Sequence, residues 1–390
     1  MDNGRLVRGP APGRPRIAVA IMVHPSRRRN VRRIVRTCAP LPVEVVEDPD
    51  PAAGPNPLRT ARVAWAAARA EATHHLVLQD DVVLADAFAP HLEDLVARWP
   101  GHAIALYVNW NSPFNSYRVR CAALTGRPWA LLVPWEWVPT LGLVLPAQLA
   151  RGLAAYLQTL PASCTEDDDA VARFCAALGV PVLAAVPHLL EHGQGPSVAG
   201  RPGARHATVT AGLPPPGTDY WHNPILPYDH GRRRGAAVSV VASACYVRHW
   251  ALDGERSLAS APYAWTRWSQ RCDLLEVPRD LIVSTFADRV RPAARGTTDR
   301  DRVSRVALEF WAAGFMLGAE AGRAIGHAAG PQPAAAVRDD VVRTWVRSGL
   351  DEHDAQTLGS VTLRRLAQWC GEAVEQGHRF GARSRRPDDR

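Results

Sequence analysis

Two adjacent carboxylates at the end of a short apolar run constrain this chain more than any other feature. Residues 74–84 read HHLVLQDDVVL, in which Leu76–Leu78 have the continuous apolar character of a buried strand and Asp80 and Asp81 follow closely. Burying two carboxylates is costly unless a cation compensates them, and divalent metal ions bind carboxylate oxygens well. A solvated turn is the alternative. The position at a strand's carboxyl end, where open α/β sheets bind ligands, favours a metal site.

The first 85 residues alternate strand-like and helix-like segments. Ile17–Val23 and Val43–Val46 are apolar runs, and each precedes a segment with helical spacing, at 27–38 and 58–72. With the strand before the acidic pair, the order β-α-β-α-β predicts a parallel sheet with helices on its faces. His24 ends the first strand and Asp48 follows the second.

Two further groups of polar residues are candidates for a functional site. The acidic cluster Glu166–Asp169 precedes a predicted helix that ends near Leu178. Acidic residues favour a helix N-terminus, but four in succession exceed what capping needs, so one of them is a candidate functional carboxylate. His192 lies in a glycine-rich loop after the strand predicted over 180–186, where it is either structural or a ligand.

Residues 107–137 combine many aromatic side chains with asparagines. The aromatic side chains include Tyr107, Trp110 and Trp137, and the asparagines are Asn109, Asn111 and Asn115. Aromatic faces with amide partners suit a sugar ring or a base. Large aromatic residues also fill hydrophobic cores, and this alternative stays open for each of them.

Composition limits the classes of protein to consider. The net charge is +8, mostly from arginine, which favours anionic ligands or a nucleic-acid surface, although a GC-rich coding bias would also produce it. Seven scattered cysteines without a CxxC motif predict neither a disulfide framework nor a zinc site. The chain starts without an apolar signal-like region and contains no apolar run of membrane-spanning length, so we expect a cytoplasmic protein.

The 390 residues exceed one ordinary domain, so we expect two. Pro- and Gly-rich composition predicts a disordered N-terminus over 1–15 and a Pro/Gly/Arg-rich linker or loop over 213–235. Between them, 16–212 forms the α/β domain. Helical apolar spacing predicts a mostly helical C-terminal domain over 236–382, with self-association left open, and 383–390 is a charged, disordered tail.

In chain order, four features of residues 16–200 resemble the glycosyltransferases of the GT-A fold, of the family-2-like and lipopolysaccharide types. They are an arginine before the acidic pair, the pair itself, a glycine followed by an acidic motif, and a histidine after the last strand. The residues are Arg62, Gln79-Asp80-Asp81, Gly142, Thr165-Glu166-Asp167 and His192. The resemblance implies a mixed sheet with helices on both faces. Gln79 departs from the family pattern, which has an acid at this position.

The resemblance also implies a function. It is metal-dependent transfer of a sugar, of the hexosyltransferase type, from a nucleotide-sugar donor to a hydroxyl or amine acceptor, in bacterial natural-product or polysaccharide biosynthesis. Asp81 and His192 would bind Mn²⁺ or Mg²⁺. Asp167 would be the general base, with Glu166 as the neighbouring alternative. The donor would be bound by His24, Asp48, Arg62 and Asp80.

Three other functions stay open. A nucleotidyltransferase would need a glycine-rich loop after the first strand, where this chain has His24-Pro25-Ser26-Arg27. A non-catalytic protein could bind nucleic acid or protein through its arginines, although these are dispersed and the paired acids would repel phosphate without a metal. A degenerate glycosyltransferase scaffold, in which Gln79 marks lost activity, is the third.

Overall fold

The computed structural model describes residues 14–193, 195, 205–210, 218–225, 236–250, 263–290, 300–324 and 335–384. The strands are Ile17–Val23 (β1), Val43–Glu47 (β2), His74–Gln79 (β3), Val82–Leu84 (β4), Ala103–Ala105 (β5), Trp129–Leu131 (β6), Gly142–Pro146 (β7), Val182–Ala185 (β8), Leu190–His192 (β9), Ala237–Val241 (β10), Ala244–Trp250 (β11) and Tyr263–Arg267 (β12). The helices are Arg28–Cys38 (α1), Pro57–Ala66 (α2), Phe88–Arg98 (α3), Asn115–Leu124 (α4), Ala147–Thr159 (α5), Asp167–Ala177 (α6), Trp268–Arg271 (α7), Arg279–Arg289 (α8), Arg300–Ala324 (α9), Ala335–Gly349 (α10), Glu352–Thr357 (α11) and Ser360–Arg383 (α12).

Seven strands form one mixed sheet in the order β2-β1-β3-β7-β5-β8-β6. Strands β2, β1 and β3 are parallel neighbours, as the β-α-β-α-β order predicts. Strand β7 lies antiparallel between β3 and β5, β8 is parallel to β5, and β6 is antiparallel to β8. The prediction of a mixed α/β sheet is therefore confirmed.

Helices cover both faces of this sheet. Alternate residues of a strand point to opposite faces, and β1 is buried along its whole length because each face has a hydrophobic cluster. On one face, Ile21 packs in a cluster with Ile34 of α1 and Leu92 of α3. On the other, Met22 belongs to the cluster of Leu58 on α2, together with residues of α5.

A two-stranded ribbon, β4 with β9, brings two distant parts of the sequence together at the end of β3. Val82 pairs with His192 in an antiparallel register, and the Gly193 N–H donates to the Asp81 carbonyl over 2.6 Å. His192 and the acidic pair are more than 100 residues apart in the chain. The ribbon makes them neighbours.

The C-terminal part is mostly helical, as predicted, with helices α7–α12. It also contains an antiparallel sheet of β10, β11 and β12, where the sequence pattern predicts one strand over 238–244. Helices α9 and α12 pack closely because glycines face backbone, and a Cβ at Gly314 would lie 2.5 Å from the Cys370 carbonyl oxygen. No helix within the described ranges is long and apolar enough to cross a membrane.

The C-terminal helices contact the α/β part of the chain. Arg120 of α4 donates hydrogen bonds to the Val341 carbonyl and, over 2.9 Å, to the Thr344 hydroxyl of α10, so the C-terminal helices pack directly on the first sheet's layer. The predicted linker contains a 3₁₀ turn, Thr218–His222, whose Trp221 is fully buried beside Trp129. The predicted disordered segments 1–15 and 383–390 lie mostly outside the described residues.

Candidate active site

A cleft of about 600 Å³ opens beside the carboxyl ends of β1, β2 and β3. The acidic pair Asp80-Asp81 and the acidic cluster Glu166–Asp169 both border it. Every predicted site residue except Arg62 lines it; they are His24, Asp48, Asp80, Asp81, Glu166, Asp167 and His192. The fold therefore brings together residues that span nearly 170 positions of sequence.

One wall of the cleft carries the acidic pair, and an arginine compensates it. Asp80 Oδ2 accepts a hydrogen bond from the His24 N–H over 2.8 Å, and Arg27 Nη1 lies 3.0 Å from Asp80 Oδ1 and 2.6 Å from Asp81 Oδ2. Burial raises the pKa of Asp80, although the His24 N–H and Arg27 act in the opposite direction. One guanidinium thus offsets one of the two negative charges of this nearly buried carboxylate pair.

Sequence reasoning missed Arg27. It lies in the short turn between β1 and α1, next to Arg28 and Arg29, and only the fold distinguishes it from them. Arg28 is exposed and pairs with Glu47 instead. The position of Arg27 after the first strand was the available signal, but this signal does not distinguish Arg27 from Arg28 and Arg29.

Asp81 and His192 offer neighbouring ligand atoms for a metal ion. Asp81 Oδ1 is buried without a hydrogen-bond partner. The His192 Nδ1–H donates to the Gly193 carbonyl over 2.9 Å, so the lone pair is on Nε2, 3.4 Å from Asp81 Oδ2. Burial lowers the pKa of His192, which keeps the ring neutral, and a backbone partner on the other ring nitrogen is typical of metal-binding histidines.

Two protein ligands suit a divalent ion that takes its remaining ligands from water and substrate phosphates. Within the described ranges, no group of three or more His, Cys, Asp or Glu side chains is arranged to hold a metal. Arg205 Nη1 lies 3.2 Å from His192 Nε2, so His192 could bind a metal only with Arg205 displaced. Gln79 donates its amide to Thr140 over 3.5 Å and supplies no third carboxylate.

Arg205 is the second arginine at this wall. Its Nη1 lies 3.2 Å from His192 Nε2 and 3.8 Å from Asp81 Oδ2, and its Nη2 donates to the Gly195 carbonyl over 2.5 Å. No sequence pattern marked it, since it follows a glycine- and proline-rich stretch far from the other site residues.

The opposite wall carries the second acidic cluster at the N-terminus of α6. Glu166 is the N-cap residue, and Asp167 is buried within hydrogen-bonding reach of the Thr140 hydroxyl. Burial raises the pKa of Asp167. Burial together with the charge of Asp167 raises the pKa of Asp168 to about 7. The Asp168 carboxyl group can therefore exchange a proton near neutral pH.

Asp48 lines the cleft at the end of β2, where Arg59 holds it. Arg59 Nε and Nη2 each donate to one carboxylate oxygen over 2.7 Å, a bidentate pair that lowers the pKa of Asp48. His24, at the end of β1, places its Nδ1 2.7 Å from the Ser26 hydroxyl. Both side chains are thus oriented by neighbours close in sequence.

The expectation that Arg62 faces the cleft is wrong. Its guanidinium donates to the carbonyls of Leu157 and Leu160, at 3.0 and 2.8 Å, and satisfies the C-terminal end of α5. A helix end leaves carbonyls without intrahelical partners, and an arginine from α2 is within reach of them. Arg62 therefore has a structural role here, and Arg27 and Arg205 provide the cations at the cleft.

The aromatic and asparagine-rich stretch divides between core and cleft. Trp129, Phe114 and Tyr117 are buried in the core, as the alternative interpretation allowed. Tyr107, Asn109, Asn111 and Trp137 line the cleft, and the Tyr107 hydroxyl donates to Asn109 Oδ1 over 3.1 Å. The cleft thus has one mixed aromatic and amide region beside its charged walls.

Comparison with known proteins gives no relative to guide the assignment. Neither a protein-family model nor a curated protein sequence matches this chain. Any functional assignment consequently rests on the cleft itself. Its content is a compensated acidic pair beside a histidine on one wall and protonatable carboxyl groups on the other.

Proposed function

We propose that this protein is a metal-dependent glycosyltransferase that moves a sugar from a nucleotide-sugar donor to a hydroxyl or amine acceptor. One observation carries the proposal: an acidic pair bound by Arg27 and a second acidic cluster at a helix N-terminus border the same cleft. The mixed sheet with helices on both faces, which the GT-A resemblance implies, supports it.

The wall with Asp81 and His192 binds the donor diphosphate. These two residues would hold Mn²⁺ or Mg²⁺, which supplies a Lewis acid that neutralises the charge developing on the leaving diphosphate. Arg27 lies against the same carboxylates, and its planar fork suits phosphate oxygens. Asp48 and His24, at the ends of the neighbouring strands, contact the nucleoside, and Asp80 orients Arg27.

The wall with Asp167 and Asp168 binds the acceptor. The acceptor oxygen attacks the anomeric carbon, the bond from that carbon to the donor phosphate breaks, and the acceptor proton passes to a carboxylate. Asp167 is the proposed base, and burial raises its pKa. The pKa of the adjacent Asp168 is raised to about 7. Glu166, at the same helix end, is the remaining alternative.

Thermal stabilisation by nucleotides tests the proposal without knowledge of the acceptor. The purified protein is heated with UDP, GDP, dTDP or CDP, each with Mn²⁺ or with EDTA. A ligand at about 100 times its dissociation constant adds roughly 2.7 kcal/mol to the free energy of unfolding. We expect one nucleotide to stabilise the protein with Mn²⁺ only, and Asp81→Asn to lose the effect.

A matched control separates loss of the site from loss of the fold. Asp94→Asn changes a partly buried carboxylate of α3 that does not line the cleft, and it keeps the nucleotide effect. Stabilisation by nucleotide that persists in EDTA would reject the metal-dependent mechanism. No stabilisation by any of the four nucleotides would reject the glycosyltransferase proposal.

A further inference from the structure

Residues 205–210 form a segment, here called the strap, that bends at 208–209 and runs from the cleft to α10. Its first residue is Arg205, which contacts His192 and Asp81 at the cleft. One edge of the strap is bound to the segment after β5, because the Thr208 N–H donates to the Val108 carbonyl over 2.9 Å and Asn109 forms a bridge with Ala207. The strap is thus fixed beside the sheet.

The other edge of the strap is bound to one face of α10. Residues four apart on a helix share a face. The Thr344 hydroxyl donates to the Thr208 carbonyl over 2.7 Å, and the Thr210 N–H and hydroxyl donate to Asp340 over 2.5 and 2.9 Å. The three contact pairs are His206 with Ser348, Thr208 with Thr344, and Thr210 with Asp340.

These contacts are shielded from water. His206, Thr208, Thr344 and Asp340 are all buried. A buried polar group that loses its partner bears the full cost of desolvation, so the two sets of residues hold each other in register. Helix α10 is itself joined to α4 through Arg120, which donates to the Thr344 hydroxyl over 2.9 Å.

Arg205 is positioned to bind an anion. It is the strap residue at the cleft, and its side chain keeps 22 % of its surface exposed. Its guanidinium lies beside the atoms assigned to the metal and diphosphate, and guanidinium forks bind phosphate oxygens in pairs. Its position depends on the strap, since the side chain extends from the strap's first residue.

We propose that Arg205 binds the diphosphate of the donor, and that α10 holds it in the cleft through the strap. The inference rests on the proposed function, because it requires a ligand that carries a diphosphate. Asp340, Thr344 and Ser348 are then positioning residues that never touch the ligand. The C-terminal helical region becomes part of the donor site rather than an independent domain.

Calorimetric titration with inorganic pyrophosphate in Mn²⁺ tests both parts, with the stabilising nucleoside diphosphate titrated in parallel. Arg205→Ala is expected to weaken binding by about tenfold or more, as loss of a charge-assisted contact does. Asp340→Ala is expected to weaken it by about three- to tenfold in the wild-type background. In the Arg205→Ala background, Asp340→Ala is expected to have no further effect on affinity, because the two residues act as one unit.

Asp354→Ala is the control for general damage to the helical region. Asp354 is buried like Asp340, but it pairs with Arg305 at 3.4 Å and does not contact the strap. We expect it to lower stability and leave pyrophosphate affinity unchanged. Where Asp340→Ala does not fold, Ser348→Ala removes a single strap contact, and Thr344→Ser keeps the hydroxyl and normal affinity.

The outcomes separate this inference from the proposed function. If Arg205→Ala binds pyrophosphate and nucleotide as the wild type does, the role of Arg205 is overturned while the glycosyltransferase proposal stands. If the Asp340 and Ser348 variants weaken binding equally with and without Arg205, the link through α10 is overturned. If the wild type binds neither probe, both proposals are overturned.

Discussion

The two acidic walls of the cleft contain the same kind of side chain with different partners. Asp80 and Asp81 end a strand and share the guanidinium of Arg27. Asp167 and Asp168 begin a helix, and burial raises the pKa of both. The first pair has a cation at hand and is suited to hold charge. The second has hydroxyl and backbone donors, and is suited to take up a proton.

The difference comes from the elements on which the carboxylates lie. The turn after β1 lies beside the end of β3 in a parallel sheet, so a side chain from it reaches the acidic pair. The end of a helix supplies N–H groups but no full counter-charge. Burial raises the pKa of Asp80 as it does those of Asp167 and Asp168, so the two walls differ in the cation that faces the carboxylates.

The largest expected effect is on the transfer step. Asp167→Asn keeps the shape of the side chain but cannot accept the acceptor proton, so turnover falls by on the order of 10²–10⁴-fold. Release of nucleoside diphosphate from the matching nucleotide-sugar, with water as a surrogate acceptor, measures it. Unchanged turnover would remove Asp167 from the mechanism and direct attention to Glu166 or Asp168.

The second-largest expected effect is on protein stability, through the wall with Asp80 and Asp81. Arg27→Gln leaves two nearly buried carboxylates without their guanidinium, so the free energy of unfolding falls by about 3 kcal/mol. Mn²⁺ is expected to restore part of it, which denaturant unfolding with and without the metal measures. Arg28→Gln is the control, since it breaks only the exposed pair with Glu47 and changes stability by about 0.5 kcal/mol or less. Equal losses in the two variants would contradict the special position of Arg27.

The pH dependence of turnover distinguishes the two walls further. The base Asp167 must be deprotonated, and burial raises its pKa, so activity is lost as the pH falls through the raised pKa of Asp167. Asp168→Asn is expected to shift the low-pH fall in turnover to lower pH, because it removes a like charge beside Asp167. An unchanged pH profile in this variant would show that the two carboxyl groups are not coupled.

The smallest effect is a gain in stability. A carboxyl group whose pKa is higher folded than unfolded stabilises the fold at low pH, and this stability is lost as the pH rises from about 4 to 7. Asp168→Asn removes the penalty, so we expect about 1 kcal/mol of added stability at pH 8 and none at pH 4. Asp169→Asn, at an exposed position, serves as control. Stabilisation that is independent of pH would contradict the assignment.

The acidic pair could be predicted from the sequence because apolar strand patterns show where each strand ends. They therefore show which residues lie at the edge of the sheet. Apolar runs at β1 and β3 fix which residues follow them, so His24, Asp80 and Asp81 were identified without the fold. The arginines could not be chosen in the same way. Arg27 follows β1, and Arg62 lies on α2. Only tertiary packing determines that Arg27 reaches the acidic pair and that Arg62 reaches the end of α5.

The C-terminal region shows another limit. Residues 238–244 have the pattern of one strand, but the chain turns at Ala242 and Ser243 between β10 and β11, both with positive φ. Alanine and serine give no signal for such a turn, which usually carries glycine or asparagine. The Ser243 N–H donates to the Gly349 carbonyl over 2.7 Å, so a contact with the end of α10 supports the turn. Contacts of this kind are invisible in local sequence.

The most direct test compares Asp81→Asn and Asp167→Asn side by side, by thermal stabilisation with the stabilising nucleotide and Mn²⁺. The account predicts that Asp81→Asn loses the stabilisation, because one wall binds the metal and diphosphate. It predicts that Asp167→Asn keeps it, because the other wall only takes a proton. Loss in both variants, or retention in both, would contradict the division of roles between the two walls.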